Sequence, residues 1–211
     1  MFAPAFSRTL RRSLLALALG ACASLASASA MHVELDTTGM GSDGWLDLQF
    51  GALGGAALAS ADLSNFSGFN GAIAAESAGD VSGSLASGYH IGNDPGNWND
   101  LFQAVHLGGK VGFDVSFSGA ADPSAATLQS AFTVALYGDH DAQNVLGTPG
   151  ADGFLLTLNW TPAKVAGGAG SVDAQVFDAG VAGVSAVPEP SSWLMLGAGL
   201  ALLGMLRRRR A

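Results

Sequence analysis

The nine residues Lys110-Val111-Gly112-Phe113-Asp114-Val115-Ser116-Phe117-Ser118 set the fold class. Val111, Phe113, Val115 and Phe117 fall on one face, and Lys110, Gly112, Asp114, Ser116 and Ser118 on the other. Successive strand side chains point to opposite sides, so this alternation describes an antiparallel strand with one face in a core and one in water. The same period recurs on both sides of it. Upstream lie Met31 to Asp36 and Gly44 to Phe50, separated by turn chemistry at Thr38-Gly39 and Ser42-Asp43. Downstream, Phe132, Val134 and Leu136 repeat the pattern, as do Phe154, Leu156, Leu158 and Trp160, and Val172 to Asp178 is the last candidate.

The segments between are less clear. Ala56 to Phe69 reads equally as a short helix or as strand with loop, and Ser82 to Ile91 as one strand broken by Gly and Ser. Trp98 to Leu107 presents Phe102, Ala104 and Val105 as its apolar positions, after a turn at Asn93 to Asn97. Eight or so short strands, each with an apolar face too narrow to bury alone, predict an all-β fold. The expected form is an antiparallel β-sandwich, with a jelly roll as one arrangement. The domain is expected over 31–180, after a signal peptide over 1–30. A linker over 181–190, a transmembrane helix over 191–206 and a basic cytoplasmic tail over 207–211 follow.

The net charge of −8 conceals a segregation. Seven of the nine basic residues lie at the two ends, whereas Met31 to Ala186 holds two lysines against sixteen acids, a net −14. Such a field repels nucleic acid, and no nucleic-acid partner is expected. Cys22 is the one cysteine, so the domain must hold together without an internal disulfide.

At the front, Arg8, Arg11 and Arg12 precede the apolar run Leu14 to Leu19, and small residues continue to Ala30. That is the order of a secretory signal peptide, with Ala28-Ser29-Ala30 as the site for signal peptidase. Leu19-Gly20-Ala21-Cys22 is a competing lipobox, in which Cys22 would carry lipid; Arg11-Arg12 also fits a twin-arginine route.

Catalytic patterns are absent from the residues. No serine has glycine two positions away on both sides, no Walker loop is present, and His32, His90, His106 and His140 lack zinc-site spacing. The expected role is therefore non-enzymatic, and a hydrolase would need carboxylates that only folding brings together. Asp139-His140-Asp141 is the most suggestive polar cluster. Asp139 and Asp141 offer the alternate oxygens Ca2+ prefers, with Asp94, Asp100 and Asp152 as further ligands if the fold gathers them; a solvated turn is the simpler and favoured explanation. No other metal or cofactor is expected. Trp98, among Asn97, Asn99 and Asp100, is the best candidate to stack on a sugar, while Trp45 and Trp160 read more readily as packing residues.

Near the other end, Val187-Pro188-Glu189-Pro190 resists both helix and sheet. Trp193 suits a headgroup region, Leu194 to Leu206 is apolar throughout, and Arg207, Arg208, Arg209 and Arg210 follow. Sixteen residues from Ser191 to Leu206 are short of the usual ~20 for a span, workable with bilayer thinning and arginine snorkelling.

Proline-glutamate-proline, an apolar segment with Gly197, Gly199 and Gly204, and a basic cluster together closely resemble the PEP-CTERM sorting signal of Gram-negative bacteria. The resemblance implies recognition by an exosortase, cleavage near the Pro-Glu-Pro motif, and export with at least transient residence in the inner membrane. It further implies a surface or matrix destination among exopolysaccharide and biofilm. The stretches FTVALYGDHDAQNVLGT and GFLLTLNW look like the bodies of small β-rich proteins of that kind. A carbohydrate- or calcium-binding matrix module is the alternative role.

Overall fold

A computed structural model describes residues 30–52, 56–94, 99–124, 130–168 and 170–187. Among them lie twelve strands: β1 (Ala30–Asp36), β2 (Asp43–Ala52), β3 (Ala59–Ser67), β4 (Glu76–Ala78), β5 (Val81–Ser84) and β6 (Gly88–Gly92), then β7 (Asp100–His106), β8 (Lys110–Gly119), β9 (Ser130–Tyr137), β10 (Leu156–Thr161), β11 (Ser171–Val176) and β12 (Ala182–Ala186). They form two six-stranded antiparallel sheets. Sheet I has the order β12-β1-β8-β3-β6-β5 and sheet II the order β11-β10-β9-β2-β7-β4.

The alternation read in β8 is what joins them. Val111, Phe113, Val115 and Phe117 are buried, and Val33 and Leu35 of β1 lie on the same inner face. Leu46, Leu48 and Phe50 of β2 and Phe132, Val134 and Leu136 of β9 face them from sheet II. Phe132 reaches across the interface, its ring 6.1 Å from both Phe113 and Phe117, and Phe50 stands 5.7 Å from Phe117. Inclined aromatic pairs at this spacing add to plain area burial, so these four rings rivet the sandwich.

Several boundaries differ from the sequence reading. Ala56 to Phe69 resolves into β3, because Ala61 and Leu63 alternate inward beside β8. Ser82 to Ile91 is a hairpin of two strands, and Gly83 sits at φ +107 where a Cβ would strike the Gly88 carbonyl. In β7 the inward residues are Leu101, Gln103 and Val105, which leaves Phe102 on the outer face of sheet II. The buried Gln103 accepts from the Tyr89 hydroxyl and donates to the Asn70 and Ile73 carbonyls, so an amide takes a core position that periodicity alone gives to an apolar residue. Part of the expected linker is also strand. Residues 182–186 form β12, paired with β1 from Met31↔Ala186 to Leu35↔Ala182. Ala-Gly-Val-Ser-Ala has little strand propensity of its own, and the open edge of β1 supplies its partner.

Candidate functional site

Two places gather the residues singled out above. The first is the point where the chain leaves sheet I. β12 is an edge strand, and beyond its last residue the Val187 N–H donates to the Ala30 carbonyl at 2.9 Å. The segment after the expected signal peptide and the segment before the Pro-Glu-Pro motif therefore lie side by side at one end of the sandwich. The strand is lightly held: Ala182 is buried, Val184 half-buried, and Gly183, Ser185 and Ala186 exposed.

The second is the outer face of sheet II. Register sets Glu76, Phe102, Asp47 and Ala135 in one row across β4, β7, β2 and β9, and places Trp45 beside Tyr137 and Ala104 in the next. The hairpin that follows β9 brings its polar residues to the same place. His140 Nε2 bonds Glu76 Oε1 at 2.6 Å, and its ring stands edge-on to Trp45 at 4.6 Å. The Glu76 bond holds the His140 imidazole above its ordinary pKa. Together Asp47, Glu76, Asp100, Phe102, His140 and Asp141 line a shallow cavity of about 350 Å³.

Asp47 is the perturbed group there. Burial pushes its carboxyl up to about 6; the Gln49 amide, donating to Oδ2 at 2.8 Å, acts against this, and the Asp100 carboxylate adds to it. Asp47 Oδ1 is buried with no hydrogen-bond partner among the described residues, as is Thr133 Oγ1 on the same face. Burial, with Asp47 as a lesser contributor, also raises the Tyr137 phenol.

Trp45 lies parallel to Phe102 with centroids 5.0 Å apart, so one face of the indole is already taken and its edge meets His140. Trp160 is core, as its strand pattern suggested. Asp139 Oδ1 accepts the Gln143 N–H at 2.9 Å and thereby closes its own hairpin, while Asp141 extends into solvent. Among the described residues no group of three or more His, Cys, Asp or Glu stands close enough to hold a metal ion. Asp94 lies at the end of the sandwich away from Asp139, whereas Asp152 lies at the same end as Asp139 without joining it in such a group.

Compared with known protein families, residues 186–210 match the PEP-CTERM protein-sorting motif. The chain carries a PEP-CTERM sorting signal. Such a signal marks an exported protein with a membrane-anchored C-terminal segment that an exosortase processes. No curated protein and no solved structure matches the chain. The match begins at Ala186, inside β12, so the PEP-CTERM signal starts on the folded edge of sheet I with no spacer before it. Of the sorting residues, Val187 is placed by its bond to Ala30, and Ala30 itself is the first residue of β1. Pro188, Glu189, Pro190, Trp193, the apolar run and Arg207 to Arg210 lie outside the described residues, as do Cys22, Ala28 and Trp98. No helix among the described residues is long and apolar enough to cross a membrane.

Proposed function

We propose that this PEP-CTERM protein is a non-enzymatic component of the cell surface or extracellular matrix, delivered there by exosortase and associated with exopolysaccharide of a biofilm. The observation that carries the reading is the 186–210 signal, attached without a spacer to an acidic all-β body. Pro188, Glu189 and Pro190 act as substrate of the sorting enzyme and not as catalytic groups.

The polar pairs of the body support a structural role. His32 bonds Asp114, His90 bonds Asp62 and His140 bonds Glu76, and none of these histidines shares a hydrogen bond with a serine hydroxyl among the described residues. Each pair is at least partly open to water and serves to match charge on the surface of a sheet.

Expression in hosts with and without exosortase, followed by mass spectrometry of the intact protein, tests the reading. A shortened C-terminus is expected only with the enzyme, and lost when Glu189→Ala and Pro190→Ala are introduced. An identical C-terminus in both hosts would remove the sorting claim.

A second reading, a carbohydrate- or calcium-binding matrix module, draws on the outer face of sheet II. Its cavity offers carboxylate acceptors for sugar hydroxyls beside the Phe102 ring. Calorimetry against Ca2+ and against the host's own polysaccharide separates the two; absence of heat with both returns the body to a purely structural role.

A further inference from the structure

We propose that the end of the sandwich from which residues 30 and 187 depart lies against the bilayer, with Leu58 and Val165 set into the headgroup region. The inference rests on the anchored reading of the C-terminal segment and adds to it which surface of the body the membrane meets.

Chain reach comes first. Between Val187, held in sheet I, and Leu194, where the apolar run begins, stand six residues. Even fully extended they span roughly 20 Å, so an anchored chain keeps this end of the body close to the membrane surface. The strand directions then say what else is there. β1 starts at this end, β8 finishes at it and β3 starts at it, since Ala30 pairs Ser116 and Ala59 pairs Gly119. Just beyond, the Ala120 N–H donates to the Leu58 carbonyl and the Asp122 N–H to the Ala163 carbonyl. These bonds tie the approach to β3, the exit from β8 and the loop after β10 into one surface.

That surface carries exposed aliphatic side chains. Leu58 is 66% exposed and Val165 68%, more than any other large hydrophobic among the described residues. Around them are Ala56, Ala57, Ala120, Ala121 and the exposed Lys164. Asp36, Asp43, Asp139, Asp141, Asp152 and Asp178 lie at or near the opposite end, while Asp80, Asp94, Asp100 and Asp122 lie at or near this one, so it is the two exposed aliphatic side chains and not the acids that mark this end. A headgroup region accepts two exposed aliphatic side chains flanked by a lysine. The tether sets the orientation, and Leu58 and Val165 stand on the surface it brings to the membrane.

The test uses the full chain carrying Cys22→Ser, produced without exosortase and reconstituted in phosphatidylethanolamine–phosphatidylglycerol vesicles containing brominated acyl chains. Single cysteines at Leu58→Cys, Val165→Cys, Asp152→Cys and Ala198→Cys carry an environment-sensitive fluorophore. The expected result is strong quenching at 198, quenching at 58 and 165 several-fold greater than at 152, and a fall at 58 when Val165→Asp is added. Quenching at 198 with 58 and 165 no different from 152 overturns the proposal while leaving the anchor intact. No quenching at 198 removes the anchored reading and the proposal with it.

Discussion

On the outer face of sheet I, carboxylates meet donors across the strand pairs. Asp114 accepts from Asn65 at 2.6 Å and bonds His32 at 2.6 Å, Asp62 bonds His90 at 2.7 Å, and Glu34 accepts from Lys110 at 2.6 Å. On sheet II, Asp47 sits opposite Phe102 on one side and Ala135 on the other, neither of which donates from its side chain. One carboxylate oxygen has no partner among the described residues, and the carboxyl is pushed up to about 6. Both faces belong to one sandwich and both come from alternating strands. Whether the neighbouring strand offers a donor, directly across the ladder or on the diagonal, decides whether an acid stabilises its sheet or strains it.

The largest expected effect concerns what the two sheets share. Phe132→Ala removes the ring that touches Phe113 and Phe117 across the interface, and should cost about 3–5 kcal/mol in denaturant unfolding. A loss under about 1 kcal/mol would mean the sheets are not riveted at that point.

Asp47→Asn sharpens the contrast between faces. With a folded pKa raised from 3.8 to about 6, Asp47 holds its proton in the folded state after the unfolded chain has released it. Stability therefore falls as pH rises from about 4 to about 6, and the penalty is constant above that. Asn removes the titration, so the variant should gain about 2 kcal/mol at pH 7, after allowance for partial solvent screening, and nothing at pH 4. Thermal unfolding across that range reads it directly, and a gain independent of pH would contradict the assignment.

Thr133→Val tests the other orphaned group of sheet II. Replacing a buried hydroxyl that has no partner by a methyl should raise stability by about 1 kcal/mol with no pH dependence. The smallest effect belongs to sheet I. His32→Ala leaves Asp114 with Asn65 and should lose no more than about 1 kcal/mol, since the pair is partly solvated. If His32→Ala cost more than Asp47→Asn gained, the ranking of the two faces would reverse.

The sequence by itself determined the fold class, the acidic body and the sorting signal, because each is written in local pattern. Period-two alternation in Lys110 to Ser118 needs no knowledge of distant residues, and the signal is a contiguous segment. Only the tertiary structure decided that β12 is a strand, since its small residues acquire a partner from β1, which begins about 150 positions earlier in the chain. Only it could bring His140 to Glu76 and Trp45, or set Asp47 between two residues that cannot donate to it. That Asp139 Oδ1 accepts the Gln143 N–H while Asp141 stands in solvent is likewise a matter of the folded hairpin and not of the Asp-His-Asp spacing. Local periodicity survives any long-range arrangement, whereas the partner of a given side chain is fixed by register across strands that the chain order does not reveal.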